Sequence, residues 1–319
     1  MKITILGILI IFIALCSGFS QEILHSNSDF PILKGPYLGQ KPPGIIPVLF
    51  AQDIIFGNRN RCFSKNGDHF LFVHAVLKGD KEEYTDYHMQ IKNGEWTFPV
   101  VLDLNLDVPV KYPFFHPNGD KLIFGSYINE EKDINGDMDI CVADYQNGEF
   151  SNTKILDSTV NTSAPERHPT VSKDGTLFFY SIREGGAGGA DIYYSNLING
   201  KYQPAKNLGD SINTSADEYN PFIASDGSYL MFNSPNRKGT EANHHDIYIS
   251  FKNEDGSWTK AVNAGDKINS QYDEWAAYVT SDGKYLFFTS RKRSKGKEPD
   301  IYWVDAQIIE ELKPKELKD

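Results

Sequence analysis

Six residues of this 319-residue chain combine a reactive side chain with a regular spacing. Glu166, Glu218 and Glu274 each stand nine residues before the glycine of an Asp-Gly pair. Arg183, Arg237 and Arg291 each come just after the apolar run that follows that pair. Carboxylates in one register can gather around a cation or a cationic ligand, and guanidinium groups hold carboxylates through paired N–H donors. A structural alternative stands beside this: each Glu caps backbone N–H groups or pairs with the arginine of an adjacent loop. Upstream, the same register holds Asn58 and Val110, so the carboxylates would form half a ring.

Other candidates carry weaker signals. Asp133, Asn135, Asp137 and Asp139 alternate oxygen ligands as calcium loops do, and hard cations want several such oxygens at close range. No Glu follows at the EF-hand distance, so a solvated polar loop is the competing reading. Calcium is the one cofactor the sequence raises. His244 and His245 are adjacent, point to opposite sides of an extended segment, and lack the converging ligands of a zinc site. The run from Arg183 to Ala190 is glycine-rich but opens no helix. That argues for a lid, or a loop pressed against its neighbour, rather than a phosphate cradle. Neither a Gly-x-Ser-x-Gly elbow nor a Cys–His pair in related loops is present, so no nucleophile is identified. Cys62 and Cys141 fall inside expected strands and read as buried thiols.

These residues are carried by a repeat. Asn66-Gly67, Asn118-Gly119, Asp174-Gly175, Asp226-Gly227 and Asp282-Gly283 are spaced 52, 56, 52 and 56 residues apart. Such pairs mark hairpins, because both central residues of a type I′ turn need positive φ. An apolar strand lies on each side, as NPFIAS and YLMFNS do around Asp226-Gly227. A third strand opens at Asp86, Asp139, Asp191, Asp246 and Asp300, and their recurrence in every copy marks them as scaffold at the strand start. A second Gly turn and a fourth strand follow. Four antiparallel strands at this period describe a propeller blade. The expected fold is all-β: a single β-propeller over residues 45–307, with five four-stranded blades or, as the alternative, six. The fifth copy lacks its fourth strand, and Pro47 to Ile54 resembles the fourth strands elsewhere. Residues 45–54 are therefore expected to close the ring and remove its open edge. Residues 21–44 would be an extension and 308–319 a charged tail.

Motifs such as NPFIASDGSYLMFNS followed by DIYIS, and HPTVSKDGTLFFYS followed by DIYYS, resemble the TolB-type, WD-like propeller repeat. The resemblance covers roughly residues 58–305, although only Pro117-Asn118-Gly119 keeps the family's proline before the turn. It implies an exported interaction scaffold and no single chemistry, since propellers host many.

In an up-and-down blade the tight turns share one face and the long polar loops the other. Functional residues concentrate on such loops. That face would carry the six residues above with Arg167, His168, Asn220, His244, His245, Trp275 and Arg293. Lys2, the apolar run Ile3 to Leu15 and the small residues before Gln21 read as a signal peptide over residues 1–20. Leu15 before Cys16 disfavours a lipid anchor, and no other stretch approaches membrane-span length. A periplasmic or secreted location follows. Cleavage would take the net charge from −11 to −12, which argues against sequence-independent nucleic-acid binding. Two functions fit: a scaffold that binds a protein or glycan of the cell envelope through its long-loop face, or a polysaccharide lyase or hydrolase working at the channel mouth.

Overall fold

The computed structural model describes residues 30–52, 54–55, 58–78, 81–102, 108–127, 138–146, 148–235, 237, 244–292 and 299–317, without the side chains of 58–61, 75–78 and 81–83. Residues 1–20, read above as a signal peptide, and Arg293 lie outside this set. Residues 32–319 form one compact unit.

Five antiparallel sheets stand in a ring, which decides between five blades and six. Blade 1 is built from Asn58–Phe63, His69–Lys78, Lys81–Lys92 and Val100–Val101. Blade 2 takes Lys111–Phe115, Lys121–Ser126, Asp139–Gln146 and Glu149–Ile155. Blade 3 takes Glu166–Val171, Leu177–Ser181, Asp191–Ser195 and Lys206–Asn207. Blade 4 takes Tyr219–Ile223, Tyr229–Pro235, His245–Phe251 and Val262–Asn263. The first strand of every blade touches those of both neighbours, and blade 5 returns to blade 1. These innermost strands wall an axial channel.

Blade 5 combines Glu274–Val279, Tyr285–Ser290 and Asp300–Asp305 with Val48–Leu49 from the other end of the chain. Val48 pairs with Trp303 and Leu49 with Tyr302, as the clasp requires. Phe50 anchors it, fully buried between Phe63, Phe70, Phe287 and Trp303 at centroid distances of 4.9–6.2 Å. Beyond the last strand, Ile308–Leu312 is helical. The tail is charged on one side only: Ile308 and Ile309 are buried beneath the ring's tight-turn face.

Three local expectations need correcting. The five recurrent turns are not type I′: Gly67, Gly119, Gly175, Gly227 and Gly283 have φ of +69° to +89°, but the Asn or Asp before each does not enter that region. Each glycine N–H instead bonds the carbonyl three residues back, as Gly227 does to Ala224 at 2.8 Å. That is a type I turn ending in a left-handed glycine. The type I′ geometry belongs to the second set of turns, at Asn93-Gly94 and Asn199-Gly200, where both φ are positive. Fourth strands shrink to two residues in every blade except blade 2. In blade 1 the polar excursion is instead a long hairpin, paired out to Lys78 and Lys81.

Candidate functional site

Every innermost strand breaks its register once, two residues after the glutamate position. In blades 2 to 5 a left-handed residue sits at that break: Tyr112, His168, Asn220 and Ala276, with φ of 50–52°. Left-handed backbone outside glycine costs of order 1–3 kcal/mol and persists only where the surroundings impose it. A bulge also re-aims side chains. Here it turns a ring of them onto the channel at the long-loop mouth.

The mouth is a cavity of about 390 Å³. Its walls are aromatic: Tyr84, Tyr112, Tyr127, Tyr180, Tyr219 and Trp275. The Tyr112 ring lies on that of His168, centroids 3.7 Å apart. Burial and the Arg167 charge push the His168 imidazole down to about 3, so it is neutral at physiological pH. Two ion pairs stand at the mouth, one joining blades 1 and 2 and one at the edge of blade 5. Lys111 Nζ lies 2.6 Å from Asp86 Oδ2, and Arg291 Nη1 3.2 Å from Asp273 Oδ2. Burial raises the Asp86 carboxyl, and Lys111 opposes that rise. A relay links the remaining polar groups. Asn220 Nδ2 donates to Asn233 Oδ1 at 2.8 Å, so Asn233 turns its own amide N–H toward His245 Nδ1 at 2.9 Å. The His245 ring thus faces that amide through Nδ1. The His245 backbone N–H donates to Asp273 Oδ1 at 3.1 Å, and the Arg291 guanidinium lies over Trp275 at 5.3 Å.

The glutamates do not reach this cavity. Glu166, Glu218 and Glu274 are wholly buried between blades. Thr162, Thr214 and Ser270 each donate a backbone N–H (2.8–3.0 Å) and a hydroxyl (2.7 Å) to the glutamate four residues on. Ser181 and Ser290 add a hydroxyl each, at 3.1 and 2.6 Å. The reading of a half-ring of ligand carboxylates gives way to capping. The arginines divide. Arg183 Nη2 bonds Glu166 Oε1 and the Val160 carbonyl, both at 2.7 Å, with its guanidinium over Tyr193. Arg237 repeats this with the Ile212 carbonyl at 2.7 Å, Glu218 at 3.7 Å and Tyr248. Only Arg291 lines the mouth. It follows Ser290 directly, whereas Arg183 and Arg237 stand two and three residues beyond the matching Ser181 and Ser234.

Strand pairing exposes a second misreading. Asp139, Asp191, Asp246 and Asp300 lie opposite Ser126, Ser181, Ser234 and Ser290. In blade 1 that place, opposite His74, belongs to Thr85. Asp86 occupies the next position, where the other blades bury Ile140, Ile192, Ile247 and Ile301. It is not a copy of the repeated aspartate but a carboxylate in a core position at the channel. Aligning the copies on their tyrosines, Tyr87 with Tyr193, would have revealed it. Lys111, Tyr112, Tyr127, Tyr180, Tyr219, Asn233 and Asp273 were also missed. For Lys111, Tyr112 and Tyr219 the signal lies in the two residues after the glutamate register, where every copy differs. His168, Asn220, His245 and Trp275 line the mouth as the loop argument expects.

Asp191 behaves as scaffold, accepting the Gly188 N–H at 3.1 Å and the Asn207 amide at 2.8 Å. It thereby fixes the glycine-rich loop, where a Cβ on Gly188 would meet the Ala216 carbonyl oxygen. That loop is pressed on its neighbour rather than a lid. Asp133, Asn135 and Asp137 lie outside the described residues, while Asp139 begins its strand opposite Ser126. Among the described residues no three His, Cys, Asp or Glu gather as metal ligands. No helix of the described residues is long and apolar enough to cross a membrane. Cys62 and Cys141 are free and buried, each thiol pushed up to about 12 by burial.

No family model and no curated sequence matches this chain. Solved structures resemble it distantly. The tricorn protease aligns over 76% of this chain at 10% identity and a TM-score of 0.44, and this chain spans 27% of that one. The periplasmic gluconolactonase of Pseudomonas aeruginosa aligns over 82% of this chain and 75% of its own, at 11% identity and a TM-score of 0.40. An endo-arabinanase from Bacillus licheniformis aligns over 80% and 94%, at 10% identity and a TM-score of 0.46. Likenesses this distant say nothing about ligand or reaction.

Proposed function

We propose that this chain is an exported binding module of the TolB-type repeat class that takes a glycan of the cell envelope into its long-loop mouth. One observation supports the reading above others: six aromatic side chains wall a cavity into which Asn220, Asn233, His245, Asp273 and Arg291 deliver linked donors and acceptors. Sugar rings offer apolar faces to aromatic planes and hydroxyls to such polar groups. Sites of this kind are mostly apolar, with a few fixed polar groups that set orientation. Calorimetry of the signal-free protein against an oligosaccharide panel tests it. Binding that Trp275→Ala weakens at least tenfold, with the fold intact by circular dichroism, supports the mouth. Equal affinity in that variant removes it.

A hydrolytic reading has its own observation. Asp86 is a buried carboxyl held above the usual carboxylate range, as a general acid must be, and Asp273 is a second carboxylate in the same cavity. Release of reducing ends from the bound glycan, lost in Asp86→Asn, would convert the binder into an enzyme. Binding without turnover keeps it a binder.

A further inference from the structure

The mouth cavity has a floor. Tyr112, His168 and Asn220 line it from above and also line a space of only about 50 Å³ beneath it. That space has room for a few waters at most and none for a sugar ring. Phe114, Phe222 and Tyr278 close it from below and form the roof of a separate lower chamber of about 420 Å³. These three rings come from blades 2, 4 and 5, yet each touches the other two across the axis. Centroids lie 6.3 Å apart for Phe114 and Phe222, 5.7 Å for Phe222 and Tyr278, and 6.3 Å for Phe114 and Tyr278, all edge to face. Tyr278 is pinned at its hydroxyl, which accepts the Phe63 N–H at 3.2 Å and donates to the Phe63 carbonyl at 3.3 Å. The stopper is therefore tied to blade 1 as well. Ile309 of the C-terminal helix lines the lower chamber at the far end.

A chain cannot thread such a channel. A chain lying across the mouth would meet the rim but leave Asn220 and the Tyr112–His168 pair, which sit at the floor, without a partner in the ligand. We propose that the mouth is a blind well that binds the end of a glycan chain, one terminus entering and the rest leaving through the opening. The inference rests on the glycan reading above and adds its mode.

The test uses the signal-free full chain and malto-, cello-, xylo- and chito-oligosaccharides of two to six residues, titrated by calorimetry. The best binder is then remeasured with a bulky fluorophore on its reducing end and, separately, with a bulky acetal on its non-reducing end. End-on binding predicts affinity that levels off after about three residues, the size a cavity at the low end of the usual range admits. It also predicts that one blocked end costs about tenfold or more while the other costs less than about twofold. Affinity that climbs through six residues and ignores both blocks overturns the blind well while leaving glycan binding in place. No binding in any series overturns the glycan reading and this inference together.

Discussion

Glu218 and Asp86 are both buried acids, yet they answer to different demands. Two Thr214 donors and Arg237 surround Glu218, and burial still pushes its carboxyl up to about 7. A raised carboxyl contributes fully to stability below its unfolded value and loses that contribution as pH climbs through its folded one. Even so, Glu218→Ala strands Arg237, and breaking a buried pair costs about 3–5 kcal/mol. Urea denaturation at pH 7 is expected to show that loss. Asp86→Asn should behave in the opposite way: the buried charge goes, Lys111 keeps a partly exposed head, and stability at pH 7 does not fall. Glycan affinity should fall instead, separating a residue that serves the ring from one that serves the mouth. The paired imidazoles of His69 and His88, 2.8 Å apart, titrate with the reverse sign. Burial lowers both, His88 to about 4. The stability they contribute is complete above about 6.5 and drains away as pH falls through about 4. The urea midpoint should drop across that window, and His88→Gln should flatten the drop.

Between residue and ring stands an element that the repeat carries without advertising it. Val160-Asn161-Thr162, Ile212-Asn213-Thr214 and Ile268-Asn269-Ser270 each link two blades. The asparagine accepts the N–H and donates to the carbonyl of Ile140, Ile192 or Ile247 on the preceding third strand, at 2.8–3.1 Å. The Thr or Ser then holds the glutamate of the next blade. Asn213→Ala strips the Ile192 N–H of its acceptor while the Ile192 carbonyl keeps the Leu208 N–H at 3.1 Å, a loss of about 1–3 kcal/mol for one buried group, and thermal melting is expected to register it. The repeat, the blade count and the clasp were legible because turn glycines and apolar strands obey local rules that five copies state five times. The channel was not. Its residues are the ones the copies do not share, and a left-handed bulge at Tyr112, His168 and Asn220 decides where they point. The pattern of types along the chain does not announce that break. Asp86 was hidden for a related reason: a one-residue offset changes the face a side chain occupies, and only strand pairing reveals it.

At the scale of the whole ring, closure rests on three consecutive residues from the other end of the chain. Val48 and Leu49 supply the last strand, and Phe50 fills the space between blades 5 and 1. The mouth draws its ion pairs from both sides of that seam: Asp86 from blade 1, Arg291 from blade 5. A ring held only by its other four interfaces can open there without breaking any other blade. Tyr302 and Trp303 would then present unpaired backbone, a template for another chain. Phe50→Ala removes an aromatic anchor worth about 3–5 kcal/mol in a buried core; Val48→Pro disturbs the two-residue strand itself while sparing that anchor. If the seam is the weak point, both variants lose glycan affinity together with stability, although neither residue lines the mouth. Light scattering should show higher oligomers for each near its melting point. Variants that melt early yet keep full affinity below their midpoint would show instead that the mouth is held by blades 2 to 4 alone.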